Sequence, residues 1–171
     1  MTVAVVLVFA SRLLLVALFL PFSALDKLLN FAGATRQAGA VTASPALART
    51  LVLCGLGVEV VMSLCVLTGL ADRLAALVLA LYCVATALLW KRFWTHPDFT
   101  LVGPSPSRDT FWDFMKNLAV AGGFLMIALG PTAADTASFL DAPFASSDPY
   151  AKRAPVPGAP PGERHTVSDT P

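Results

Sequence analysis

Four long apolar stretches constrain this chain more than anything else in it. They predict helices over about residues 3–22, 51–70, 74–90 and 114–132, the last led in by the aromatic residues from Phe111 onward. A hydrocarbon core of about 30 Å takes roughly 20 mostly apolar residues in a helix, and each stretch is close to that length. Lipid offers no partner to a free backbone group, and none of the four alternates as a barrel strand does, so helix is the form expected. Of the 171 residues, 56% are hydrophobic and only 13% charged. A soluble domain carries about 25% charged residues. The mean hydropathy of +0.70 agrees with lipid as the main solvent. The expectation is an all-α bundle of four transmembrane helices in one domain, residues 1–130. A soluble enzyme, a nucleic-acid binder and a disulfide-built module are excluded, the second because the net charge is only +1.

The connections differ in kind. Residues 23–49 read as a long loop, Ala71-Asp72-Arg73 as a tight hairpin, and residues 91–110 as a second long loop broken by Pro97, Pro104 and Pro106. Eight of the 13 prolines fall in residues 131–171, and that Pro/Ala/Ser-rich tail reads as disordered. The first stretch lacks a basic segment before Arg12 and is too long for a secretory signal, so it is expected to remain in the mature protein. Cys54, Cys65 and Cys83 lie in apolar runs without a C-x-x-C spacing, which suits packing rather than a disulfide or zinc. Basic residues set orientation: Lys27, Arg36, Arg49, Lys91, Arg92, Arg108 and Lys116 flank the long loops, against Arg73 alone on the opposite side until Lys152. That asymmetry predicts loops 23–49 and 91–110 in the cytoplasm and both termini outside. Trp90, Trp94, Trp112 and the phenylalanines at 93, 111 and 114 gather on the loop side as an aromatic belt.

Two charges interrupt the apolar runs. Arg12 stands near the centre of the first segment and Glu59 near the centre of the second. A lone charge at that depth costs roughly 2.5–3.5 kcal/mol on insertion scales, so the expectation is that the two face each other inside the bundle. Such a pair either fixes helix register or lines a polar pocket for a quinone head group, an anion or a proton, and both readings stay open. Lys116 and Asn117 at the start of the fourth helix, and Lys27 after the first, join Arg12 and Glu59 as candidates for an intramembrane polar site. Lys116 and Lys27 also suit simple snorkelling to the headgroups. No inward histidine offers itself to haem and no carboxylate–histidine cluster to a metal. Ala119, Gly122 and Gly123, with Ala71, Ala75, Ala76 and Ala80, mark faces where helices could approach closely, within the bundle or against another subunit.

These residues resemble the DoxX family of small bacterial membrane proteins. The likeness lies in Arg12 followed by Leu18-Phe19-Leu20 and Asp26-Lys27-Leu28, in Gly57-Val58-Glu59 running to Gly69-Leu70-Ala71-Asp72-Arg73-Leu74, and in Phe111-Trp112-Asp113 running through Lys116-Asn117 to Gly122-Gly123. It covers about residues 8–130. It implies a four-helix protein of the bacterial inner membrane, and some relatives are named as small subunits of a thiosulfate:quinone oxidoreductase. Asp26-Lys27 departs from the family's usual glycine–lysine, so Lys27 carries over less securely than Arg12, Glu59, Lys116 and Asn117.

Three functional classes follow. The first is an accessory subunit of a quinone-linked redox complex, without a catalytic centre or cofactor motif of its own, whose partner is an oxidoreductase subunit. The second is a non-enzymatic membrane scaffold or assembly factor. The third is a small transporter, which four helices without inverted repeats favour least unless the chain forms a homo-oligomer.

Overall fold

The computed structural model describes residues 2–151 apart from 101 and 104. The described residues are helical throughout their regular structure, and four segments are long and apolar enough to cross a membrane. The first begins as α1 (Val3–Val16), widens into a π-helical turn (Leu18–Ser23) and continues as α2 (Ala24–Leu29). Pro21 lies inside that turn. Its ring cannot accept the carbonyl four residues back and it has no N–H to donate, and a looser turn relieves both. At Asn30 the chain leaves helical geometry (φ −115°, ψ 37°) and restarts as α3 (Phe31–Ala38). The long loop expected over residues 23–49 is therefore mostly helical. Its polar composition reflects an end-of-bundle position, with one face packed: Ala38 is buried against Ala48 and Val52 of the next helix.

That helix, α4 (Pro45–Thr68), starts where the Ser44 hydroxyl accepts the Leu47 N–H and Pro45 occupies the first turn. It ends at Gly69, whose φ of 83° is left-handed. The hairpin is shorter than expected, because Asp72 and Arg73 already belong to α5 (Asp72–Trp90) and both are buried. A 3₁₀ turn, Phe93–Thr95, leads to α6 (Pro106–Leu129). This helix starts eight residues before the expected 114, since Ser105 caps it and Pro106 suits its first turn. It stops at Leu129, ahead of Gly130-Pro131.

Residues 131–151 correct the expectation of a disordered tail from residue 131. Thr132 and Asp135 form a reciprocal capping box that starts α7 (Ala133–Asp141). Phe139 is buried beneath Arg73, with the guanidinium 5.3 Å from the ring centre, and the Tyr150 hydroxyl donates to the Leu67 carbonyl. Aromatic anchors thus outweigh the proline content up to residue 151. The rest of the expected tail, residues 152–171, lies outside the described residues.

The core joins Val16 and Phe19 to Val66 of α4, to Leu79 and Ala75, Ala76 and Ala80 of α5, and to Ala121, Phe124 and Ala128 of α6. Alanines on the facing sides of α5 and α6 let the backbones approach closely, which is how helices gain contact in lipid. Of the three small residues expected to pack on the last helix, Gly123 faces α1: a Cβ there would lie 2.8 Å from Leu15 Cδ2. Gly122 has no atom within 4 Å of its Cβ position and Ala119 is exposed. One residue along a helix turns about 100°, which carries Gly122 out of the contact.

At the far end of α5 and α6, Phe93 packs against Trp94, Phe99, Phe111 and Phe114 with ring centres 5.0–5.5 Å apart. Below it the Ser107 hydroxyl donates to Asp98 Oδ1 over 2.5 Å, and the Ser105 hydroxyl donates to the Asp98 carbonyl. The Ser107 bond, aided by His96 and Ser105, holds the Asp98 carboxyl below its ordinary 3.8. A depressed carboxyl stabilises the folded loop above that ordinary value, and the contribution fades as pH falls through the lower folded one.

Two outcomes are expected. Gly123→Val costs about 1–3 kcal/mol through overpacking against Leu15, while Gly122→Val stays within about 0.5 kcal/mol, as read from unfolding in detergent; equal losses contradict the assigned faces. Ser107→Ala moves the Asp98 titration up toward 3.8, measured by carboxyl ¹³C NMR; an unmoved titration removes Ser107 as the cause.

Candidate functional site

The middle of the bundle holds a polar cluster on Glu59. The residue lies about 13 Å from the Thr68 end of α4, deep among apolar side chains, and is 1% exposed. Its Oε1 accepts three donors: Lys27 Nζ at 2.6 Å, Ser23 Oγ at 3.0 Å and the Tyr82 hydroxyl at 2.9 Å. Lys27 also donates to Ser23 Oγ at 2.7 Å. Each partner is placed by local structure. Ser23 closes the π-helical turn, Lys27 follows one turn later on α2, and Tyr82 sits halfway along α5. Gly55, one turn before Glu59, leaves room for the phenol, since a Cβ there would lie 3.0 Å from the Tyr82 oxygen.

The other carboxylate oxygen, Glu59 Oε2, is buried without a partner among the described residues, and so is the hydroxyl of Ser63 one turn further along α4. Buried polar atoms are nearly always paired, so two open ones on consecutive turns are a departure that a ligand, a water or a proton would relieve. The cluster therefore combines cationic and neutral donors with an unfilled acceptor. Lys27, at 21% side-chain exposure, leaves its flank open.

A second buried network lies toward the α4–α5 hairpin. Arg12 Nη1 pairs with Asp72 Oδ2 at 2.7 Å and donates to the Val66 carbonyl, also at 2.7 Å. Its Nη2 donates to Ser147 Oγ at 2.9 Å. Ser147 in turn donates to both Asp72 oxygens, from its amide at 2.9 Å and from its hydroxyl at 2.5 Å. Next to it, Arg73 donates through Nε to the Ala128 carbonyl at 2.9 Å and through Nη2 to the Asp135 carbonyl at 2.5 Å.

The expected Arg12–Glu59 pair is thus replaced by two pairs, Arg12–Asp72 and Lys27–Glu59. Depth explains it. The first span runs 27 residues, to Leu29 rather than Phe22, which sets Arg12 level with the hairpin and brings Ser23 and Lys27 level with Glu59. Lys27 turns inward rather than snorkelling. Lys116 and Asn117 join neither network: Lys116 is exposed and reaches Asp113 at 3.4 Å, and the Asn117 amide donates to the Asp113 carbonyl. Lys91 makes the stronger contact with Asp113, at 2.9 Å. Sequence reasoning missed Asp72, Arg73, Ser23, Ser63, Tyr82 and Ser147. Tyr82, a lone phenol amid a charge-free apolar run, was the one legible signal among them. No group of three or more His, Cys, Asp or Glu side chains converges to hold a metal among the described residues.

Both buried networks fall largely within the part of the chain that known proteins share. The DoxX family profile matches residues 7–96, more than half of the chain, and that span includes Arg12, Lys27, Glu59, Asp72 and Tyr82. The stretch from Phe111 to Gly123 lies beyond the matched residues. Inner membrane protein YphA of Escherichia coli (strain K12) is 28% identical over 130 residues, covering 75% of this chain and 86% of that protein. No solved structure matches the chain. The match and the four apolar spans lead to one conclusion: the chain is an integral inner-membrane protein and belongs to the DoxX family.

Proposed function

We propose that the protein is an accessory subunit of a membrane redox complex and offers a quinone head group a polar site at Glu59. The observation that carries this reading is the buried Glu59 carboxylate, saturated on one oxygen and open on the other. A quinone carbonyl needs a donor, which the third N–H of Lys27 supplies, since the Ser23 and Tyr82 hydroxyls already donate to Glu59; the hydroxyl of its reduced form needs an acceptor, which Glu59 Oε2 supplies. A partner oxidoreductase brings the electron-transfer centre. The long connections face the cytoplasm in this reading. In support, the basic residues at the hairpin end of the spans among the described residues, Arg12 and Arg73, are both buried and engaged by acceptors within the protein.

In purified full-length protein, a short-chain benzoquinone analogue at about 100 times its Kd raises stability by about 2.7 kcal/mol, and Glu59→Gln loses most of that gain. Lys27→Met alone costs about 3–5 kcal/mol, because it leaves a buried charge unpaired. The swap Lys27→Glu with Glu59→Lys recovers expression without the quinone response. An absent response in the wild type, with no oxidoreductase copurifying, ends this reading in favour of a scaffold. For orientation, a phosphatase reporter that works only outside the cytoplasm is silent when fused after Ala40 and active after Ala151; the reverse pattern inverts the topology.

A further inference from the structure

Arg73 has a property that the Glu59 site does not use. It is nine-tenths buried, yet no carboxylate lies within ion-pair distance of it among the described residues. Its partners are neutral: the carbonyls of Ala128, Leu129 and Asp135, and the face of Phe139. Its Nη1 takes no partner among the described residues. Arg12 beside it is matched by Asp72, so of the two guanidiniums only that of Arg73 lacks a carboxylate within ion-pair distance among the described residues. Burying an unmatched charge is among the most costly arrangements available to a fold.

Both arginines line a cleft of about 450 Å³ between the end of α6 and residues 130–147. Ser146 stands in its wall, and Met126, Ile127 and Pro131 make the rest apolar. Asp135 also lines it; its carboxylate accepts from the Thr132 amide at 3.2 Å and hydroxyl at 2.6 Å and lies outside ion-pair distance of both arginines. We propose that this cleft binds a phosphate group, held by Arg73 Nη1 with Arg12 and Ser146 at its sides. Arg73 presents its guanidinium without a carboxylate in ion-pair distance among the described residues, and guanidinium N–H forks suit phosphate oxygens. The cleft lies at the end of the spans, and in the segment that closes it, residues 130–147, Leu140 and Phe144 stand 71% and 74% exposed. Apolar side chains so placed dip into the lipid boundary, bringing a phospholipid headgroup within reach. Free phosphate shares the chemistry.

The test uses full-length protein in detergent, with thermal unfolding followed as phosphatidylglycerol, headgroup-free diacylglycerol or inorganic phosphate is added. Phosphatidylglycerol stabilises the wild type, and Arg73→Gln weakens its apparent affinity by about tenfold or more, the worth of one charge-assisted bond. Arg73→Lys retains part of the response. Should Arg73→Gln fail to fold, Ser146→Asp decides: an internal carboxylate beside Arg73 competes for its guanidinium, raises the melting temperature without lipid and suppresses the lipid response. A response to inorganic phosphate alone assigns the site to the free ion and still supports it. The inference is overturned if diacylglycerol acts as strongly as phosphatidylglycerol, if neither phosphate source acts, or if Ser146→Asp leaves the lipid response intact.

Discussion

Lipid has nothing to offer a charge, and the arrangement of the first helix follows from that. Arg12 and Lys27 both enter the interior, and each must meet a carboxylate there. The two contacts clamp one long segment to the α4–α5 hairpin at two heights. Lys27 reaches Glu59 of α4 with Tyr82 of α5 alongside; Arg12 reaches Asp72 of α5 with the Val66 carbonyl of α4 alongside. In a regular helix the two cations would stand about 60° apart around the axis. The wider turn at Leu18–Ser23 rotates less per residue and takes up much of that offset, so Pro21 serves the electrostatics as well as the backbone.

The alanine faces act within this frame. Apolar side chains gain little by leaving lipid for a protein interior, so close approach between backbones has to supply contact. Ala75, Ala76 and Ala80 against Ala121 and Ala128 do so for α5 and α6, and Gly123 does so for α1. Phe19 then fills the space beneath Tyr82 and Phe124, with ring centres 6.3 Å and 5.8 Å away. The polar cluster on Glu59 thus rests on a tightly packed floor that fixes the phenol it uses.

The four spans were legible in the sequence because apolar length is a one-dimensional signal read against a fixed thickness. The partners of the charges were not, because partnership depends on depth, and depth depends on where helices end. Taking Phe22 as the end of the first helix placed Arg12 at mid-membrane opposite Glu59; a helix running to Leu29 moves the match to Lys27. Treating Asp72 and Arg73 as hairpin residues made them solvent charges, whereas residues 131–151 cover them. That cover had a local signature in Thr132-x-x-Asp135 followed by Phe139 and Tyr150, which proline and alanine content masked. Ser63 and Ser23 carried no signal, since serine is common in membrane helices and acquires meaning only from what stands opposite.

The bond from Arg12 to Ser147 spans 135 residues. During synthesis the first helix leaves the ribosome with its guanidinium long before its serine exists. Asp72 arrives midway and neutralises the charge, but the pair stays unroofed until Ser147 has been made. Contacts this distant in sequence form late. Completion of the interior is therefore tied to the synthesis of residues 131–151, and a chain that stops before them carries an uncovered ion pair as the mark of its truncation.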